Sequence, residues 1–169
     1  MSKPSKHRIR RMVASARSRR ADAELLRHNG GSTESVAFLK LLAFEVLLKA
    51  AHWVRSGPPP TGHDYLRLWS NLGPRHRDRI LDAAKEQMGR GPVLTKLCDV
   101  LETWRRNFSD IRYEYEKQAD LTPEEVHEKG STWVESDAPL EEADFIFHPE
   151  ELTALTGALE RHLENWLSS

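Results

Sequence analysis

Ser32-Thr33-Glu34-Ser35-Val36-Ala37-Phe38-Leu39-Lys40-Leu41-Leu42-Ala43-Phe44-Glu45-Val46-Leu47-Leu48-Lys49-Ala50-Ala51-His52-Trp53-Val54 is the stretch that decides the fold. Apolar residues at 36, 39, 43, 46, 47, 50, 53 and 54 follow the three-and-four spacing of an amphipathic helix. Ser32 and Thr33 are its candidate caps, and Glu34 falls in its first turn. Its apolar stripe covers most faces, as expected of the central helix of a bundle, because only burial on several sides stabilises so wide a stripe. Gly57-Pro58-Pro59-Pro60 ends it, since proline cannot continue the hydrogen-bond ladder and pushes its predecessor out of helical conformation.

Outward from this helix, periodicity predicts helices almost everywhere. A short one from His63 to Leu72 presents Leu66, Trp69 and Leu72 on one side, and Gly73-Pro74 separates it from another carrying Ile80, Leu81, Ala84 and Met88. After Gly89-Arg90-Gly91-Pro92, the residues Val93 or Leu94, Leu97, Leu101, Trp104, Phe108 and Ile111 trace about five turns of one helical face, which predicts that Trp104 and Phe108 are buried. Leu152, Leu155, Leu159, Leu163 and Trp166 mark a last amphipathic helix. Residues 117–148 lose this periodicity, are acidic, and read as a loop excursion with a short helix from Thr122 or Pro123; extended pieces near 133–134 and 145–147 are the only strand-like signals. The class is all-α: an up-and-down bundle of four or five helices with a long acidic loop before the C-terminal helix.

A chain of 169 residues fits one domain, read as residues 12–169 behind a basic flexible arm, residues 1–11. The arm opens a wider segregation of charge. Residues 1–20 hold Lys3, Lys6, Arg8, Arg10, Arg11, Arg17, Arg19 and Arg20 with no acid, whereas residues 110–169 hold sixteen Asp or Glu against four Lys or Arg. Such an arm is suited either to phosphate backbones or to the acidic region of its own or a neighbouring chain. With so few apolar residues, its first eight or so positions are expected to be disordered, while Arg10–Arg20 can extend the first helix. The composition also resembles a transit peptide, but Ala21-Asp22-Ala23-Glu24-Leu25-Leu26 reads on as a structural helix. Lys40, Glu45, Lys49 and His52 interrupt the densest apolar run, excluding a membrane span there. The single cysteine, Cys98, permits no internal disulfide and points to a reducing, cytoplasmic setting. No Gly-rich phosphate loop, metalloprotease motif or di-iron carboxylate pattern is present, so no cofactor and no metal are expected.

Three groups remain that can carry chemistry. Glu45, Lys49 and His52 sit at one-turn intervals on the central helix, with the acid N-terminal to the lysine as favoured for an ion pair; buried, that pair needs further partners, for which Arg112 or Asp64 are candidates. In Gly62-His63-Asp64, Asp64 is placed to cap the next helix. Arg112, Tyr113 and Tyr115, with Glu114 and Glu116, form a grouping able to hold a phosphate, stack a base or brace a helix end.

The order Ala-Phe-Glu-Val-Leu-Leu-Lys-Ala (43–50), Gly-His-Asp-Tyr-Leu (62–66), Leu72, then Phe108-Ser-Asp-Ile-Arg-Tyr-Glu-Tyr-Glu116 resembles HEPN-domain proteins of bacteria and archaea over about residues 15–116. The resemblance implies a compact helical bundle, frequent dimerisation, and a place in toxin–antitoxin, phage-defence or nucleotidyltransferase-partnered systems. Many such proteins are metal-independent ribonucleases whose site is an Arg, four to six residues, then a His, paired across a dimer. This sequence departs from that pattern. None of its histidines, at 7, 28, 52, 63, 76, 127, 148 and 162, has an Arg at that distance before it. Arg106-Asn107 resembles the start of the motif, but the position of the base is taken by Ile111, Arg112 or Tyr113. Two functional readings follow, beside a third in which the chain is a purely structural helical adaptor with no cleft near Arg112. In one, a helical domain without the standard site binds RNA, a nucleotide or a protein partner such as a nucleotidyltransferase, an antitoxin or a second copy. In the other, a nonstandard ribonuclease uses Arg112 with His63 or His52. The binding residues expected are Glu45, Lys49, His63, Asp64, Arg112, Tyr113 and Tyr115.

Overall fold

The computed structural model describes residues 4–89, 93–113, 119–139, 143 and 145–169. Among these, seven α-helices and no strand occur: α1 (Lys6–His28), α2 (Thr33–Ser56), α3 (Tyr65–Ser70), α4 (Pro74–Met88), α5 (Leu97–Asp110), α6 (Pro123–Glu135) and α7 (Pro149–Ser168). Short 3₁₀ turns, Val93–Lys96 and Ile111–Tyr113, flank α5.

Helix α2 is the centre. Ser32 caps it by accepting a hydrogen bond from the Ser35 amide (3.1 Å), and Gly57, in the left-handed region at φ 98°, ends it before the prolines. It packs against α1, α3, α5 and α7, while α4 lies on α7. Leu41, Phe44, Leu47 and Leu48 on α2 are completely covered, matching the wide stripe of its sequence. Trp104 on α5 is likewise fully buried, edge-on to Phe44 with ring centroids 5.0 Å apart, and Phe108 is also buried. The Trp104 indole N–H donates to the Phe147 carbonyl (2.7 Å), and the Asn107 amide donates to the Ile146 carbonyl (2.8 Å), so α5 ties down the irregular segment that leads into α7.

Two expectations change, one at the start of the chain and one before the last helix. Helix α1 starts at Lys6, inside the stretch read as a flexible arm through residue 11. Ser5 caps it, and Ile9 and Val13 are buried in the common core. Apolar side chains this few suffice because α1 lies along α2, so each faces the core at helical spacing. Residues 133–134 are helical rather than extended. They lie in α6, whose capping box pairs Thr122 and Glu125 reciprocally at its first turn. Helix α6 buries none of its residues. No helix among the described residues is long and apolar enough to cross a membrane, and Cys98 is a free, exposed thiol.

The basic segment divides between two surroundings. Arg17 donates to Glu160 (2.5 Å) and Glu164, and Arg20 donates to Glu160 (2.7 Å), joining α1 to the acidic last helix. Arg8 instead lies over the Trp53 ring of α2, 4.7 Å from its centroid.

Candidate functional site

A carboxylate on the most buried helix must find partners, because an unpaired charge in the core is costly. Glu45 is 4% exposed and has three. One oxygen accepts from Lys49 Nζ at 2.8 Å, the one-turn pair expected from spacing. The other accepts from His63 Nδ1 at 2.7 Å and from the Tyr65 hydroxyl at 3.1 Å. The proline run turns the chain back along α2, so that the residues entering α3 reach Glu45.

Each partner is fixed by its surroundings. Tyr65, the first residue of α3, is fully buried edge-on to Phe44 with ring centroids 5.5 Å apart. Burial, reinforced by the negative charge of Glu45, holds its hydroxyl far above the usual phenol range, so Tyr65 is a neutral donor. His63 is a third exposed and packs on Phe108, with ring centroids 4.4 Å apart. A carboxylate at Nδ1 places the proton on that nitrogen and leaves Nε2 for a ligand; among the described residues no hydrogen bond reaches Nε2. Arg112 lies over the same Phe108 ring, its guanidinium carbon 5.2 Å from the centroid, and is exposed to solvent.

The structure thus brings Glu45, Lys49, His63 and Arg112 into one neighbourhood. Two expected members stand elsewhere. Asp64 caps α3, its carboxylate accepting from the Arg67 amide at 2.9 Å, so its hydrogen bonding is local to the helix start. His52 is buried beneath the end of α2: Nδ1 donates to the Gly57 carbonyl (3.2 Å) and Nε2 faces the Asn71 amide (3.3 Å). Burial, with Arg67 adding repulsion, lowers its pKa. With both nitrogens engaged, His52 braces the turn and offers no base, which corrects its place among the catalytic candidates. Of Tyr113 only the backbone is described, as the end of the 3₁₀ turn, and Tyr115 lies outside the described residues. Tyr65 and Phe108 were missed as members of the group. Phe108 is four residues before Arg112, the spacing that stacks side chains on one face, and that signal was available.

The HEPN-domain family model matches residues 9–129, which include Glu45, Lys49, His63, Tyr65, Phe108 and Arg112. The chain belongs to the HEPN-domain family. No curated protein and no solved structure matches it. In this HEPN domain Arg112 follows His63 by nearly fifty residues, so the two reach the same Phe108 ring from separate parts of the chain rather than along one helix. Chemically the group presents a carboxylate-held imidazole and a permanent guanidinium on one aromatic ring, with a lysine ammonium on the other oxygen of the same carboxylate. Such a set can hold a phosphate and orient a base beside it. Among the described residues no three His, Cys, Asp or Glu side chains gather as a metal site.

Proposed function

We propose that this HEPN domain is a binding component for RNA or a nucleotide, acting within a toxin–antitoxin or defence system and lacking the standard ribonuclease site. The observation that carries the reading is the packing of His63 and Arg112 on one Phe108 ring, with His63 held from behind by buried Glu45. Two nitrogen groups at such a position suit a phosphate oxygen, since charge-assisted hydrogen bonds contribute about 1.5–3 kcal/mol each. The missing Arg-to-His spacing supports binding over cleavage. A fluorescently labelled RNA, without metal, tests it by anisotropy and on a denaturing gel. The expected result is binding that weakens about tenfold or more in Arg112→Ala, with the RNA intact. Robust metal-free cleavage that Arg112→Ala abolishes overturns the noncatalytic reading.

One observation favours a second reading. The 2.7 Å contact from Glu45 to His63 Nδ1 aims Nε2 outward, the arrangement of a carboxylate-oriented general base. In a nonstandard ribonuclease His63 would take the proton of a 2′-hydroxyl, and that oxygen would attack the adjacent phosphorus. The bond from phosphorus to the 5′-oxygen would break, that oxygen taking a proton from solvent and leaving a 2′,3′-cyclic phosphate, while Arg112 would stabilise the charge gathering on the phosphoryl oxygens. His63→Ala would then abolish cleavage. The partners this function fits are a nucleotidyltransferase or antitoxin and a second copy of the chain, which light scattering of the purified protein and of co-expressed complexes would detect.

A further inference from the structure

Two pairs of arginines on α1 stand on different sides of the helix. Arg17 and Arg20 are neutralised by Glu160 and Glu164, and the nearby cavity that includes Lys40 also contains that lysine's partner, Glu24, at 2.8 Å. Arg8 and Arg11, among the described residues, have no carboxylate within 4.0 Å and are exposed. They border an open groove of about 620 Å³ between α1 and α2, lined also by His7, Met12, Ser15 and Val46, and none of its lining residues is acidic.

We infer that this groove is a track for the phosphate backbone of a single-stranded nucleic acid. The inference rests on the reading above that the domain binds nucleic acid, and it names where a strand runs beyond His63 and Arg112. Three features favour a single strand. Arg8 and Arg11 are three apart on a helix, so their guanidinium groups rise from one face at neighbouring positions. Arg8 lies over the partly exposed Trp53, an arginine–aromatic pair of the kind on which unpaired bases stack. Met12 and Val46 supply an apolar floor that a base face, and not a duplex backbone, can cover. The groove and the site share helix α2: Val46, which lines the groove, follows Glu45 in sequence, and Lys49, which pairs with Glu45, stands one turn beyond both.

The test is the salt dependence of binding to a labelled oligouridylate, compared between the full chain and an Arg8→Gln/Arg11→Gln variant. Each phosphate neutralised on a single strand contributes a slope of about 0.7 in log affinity against log salt. Losing two contacts should therefore flatten the slope by about 1.4, so that between 50 and 200 mM salt the variant loses about sevenfold less affinity than the full chain. Arg17→Gln, a charge already paired with α7, should leave the slope unchanged. Binding should quench tryptophan fluorescence, and most of that quench should vanish in Trp53→Phe. Circular dichroism confirms that each variant folds, which these exposed arginines should permit. If the double variant binds with an unchanged slope, the track is overturned while the nucleic-acid reading stands. If the full chain binds no oligonucleotide even at low salt, both fail. Equal affinity for poly-glutamate of matching charge would overturn the nucleic-acid track in favour of an acidic protein partner.

Discussion

Replacing Glu45 by alanine removes one carboxylate and strands three partners, and the structure sets the size of the effect. The Tyr65 hydroxyl is fully buried and loses its acceptor, a penalty of about 1–3 kcal/mol for an orphaned polar group. Lys49, its side chain only 20% exposed, is left as a largely covered charge without its counter-ion. His63, a third exposed, regains water and adds little. Together these give about 3–5 kcal/mol, the range for breaking a buried ion pair from one side. At about 2–4 °C per kcal/mol for a domain of this size, the melting temperature should fall by about 6–20 °C. Glu45→Gln keeps an acceptor for Tyr65 and should cost less. Urea unfolding followed by tryptophan fluorescence measures each variant, and a cycle with Tyr65→Phe should return a coupling of about 1–2 kcal/mol. A loss under 1 kcal/mol for Glu45→Ala, or zero coupling to Tyr65, would refute the claim that the carboxylate is a buried hub.

Trp104→Ala should destabilise by about 3–5 kcal/mol in the same assay, because the ring is fully enclosed and its N–H anchors the Phe147 carbonyl. A cost near zero would contradict its position in the core. Burial lowers the pKa of His52 and, together with neighbouring positive charge, those of His76 and His162, whose rings meet edge-on 5.3 Å apart. For a depressed folded-state pKa the stability is complete above the unfolded value, about 6.5, and is lost as pH falls toward the folded one. Thermal melts should therefore show lower stability at pH 5 than at pH 7.5, and a flat profile would speak against these histidines being held neutral. Lys40, and after it Arg27, holds the Glu24 carboxyl at about 2, but Glu24 is 46% exposed, so Lys40→Ala should change stability at neutral pH by less than about 1 kcal/mol. A larger loss in urea unfolding would mean that Lys40 does more than pair on the surface.

What could be read from the residues was local in its physics. The span of the central helix, its stop at Gly57, the capping role of Asp64, the buried Trp104–Phe108 stripe and the Glu45–Lys49 pair depend on spacings of four residues or fewer, which helical geometry converts directly into position. The motif order was enough to indicate the HEPN resemblance that the family match bears out. Tertiary structure alone decided which charges meet. Glu45 and His63 are 18 residues apart and could contact only once the proline turn had folded back, and that same turn enclosed His52 between Gly57 and Asn71. The basic segment showed its charge but not its division, because the acids that neutralise Arg17 and Arg20 lie about 140 residues away on α7, whereas Arg8 faces Trp53. Local periodicity specifies which face of a helix is buried; which neighbour that face meets is set by how all the helices pack together, and the candidate site is made of those meetings.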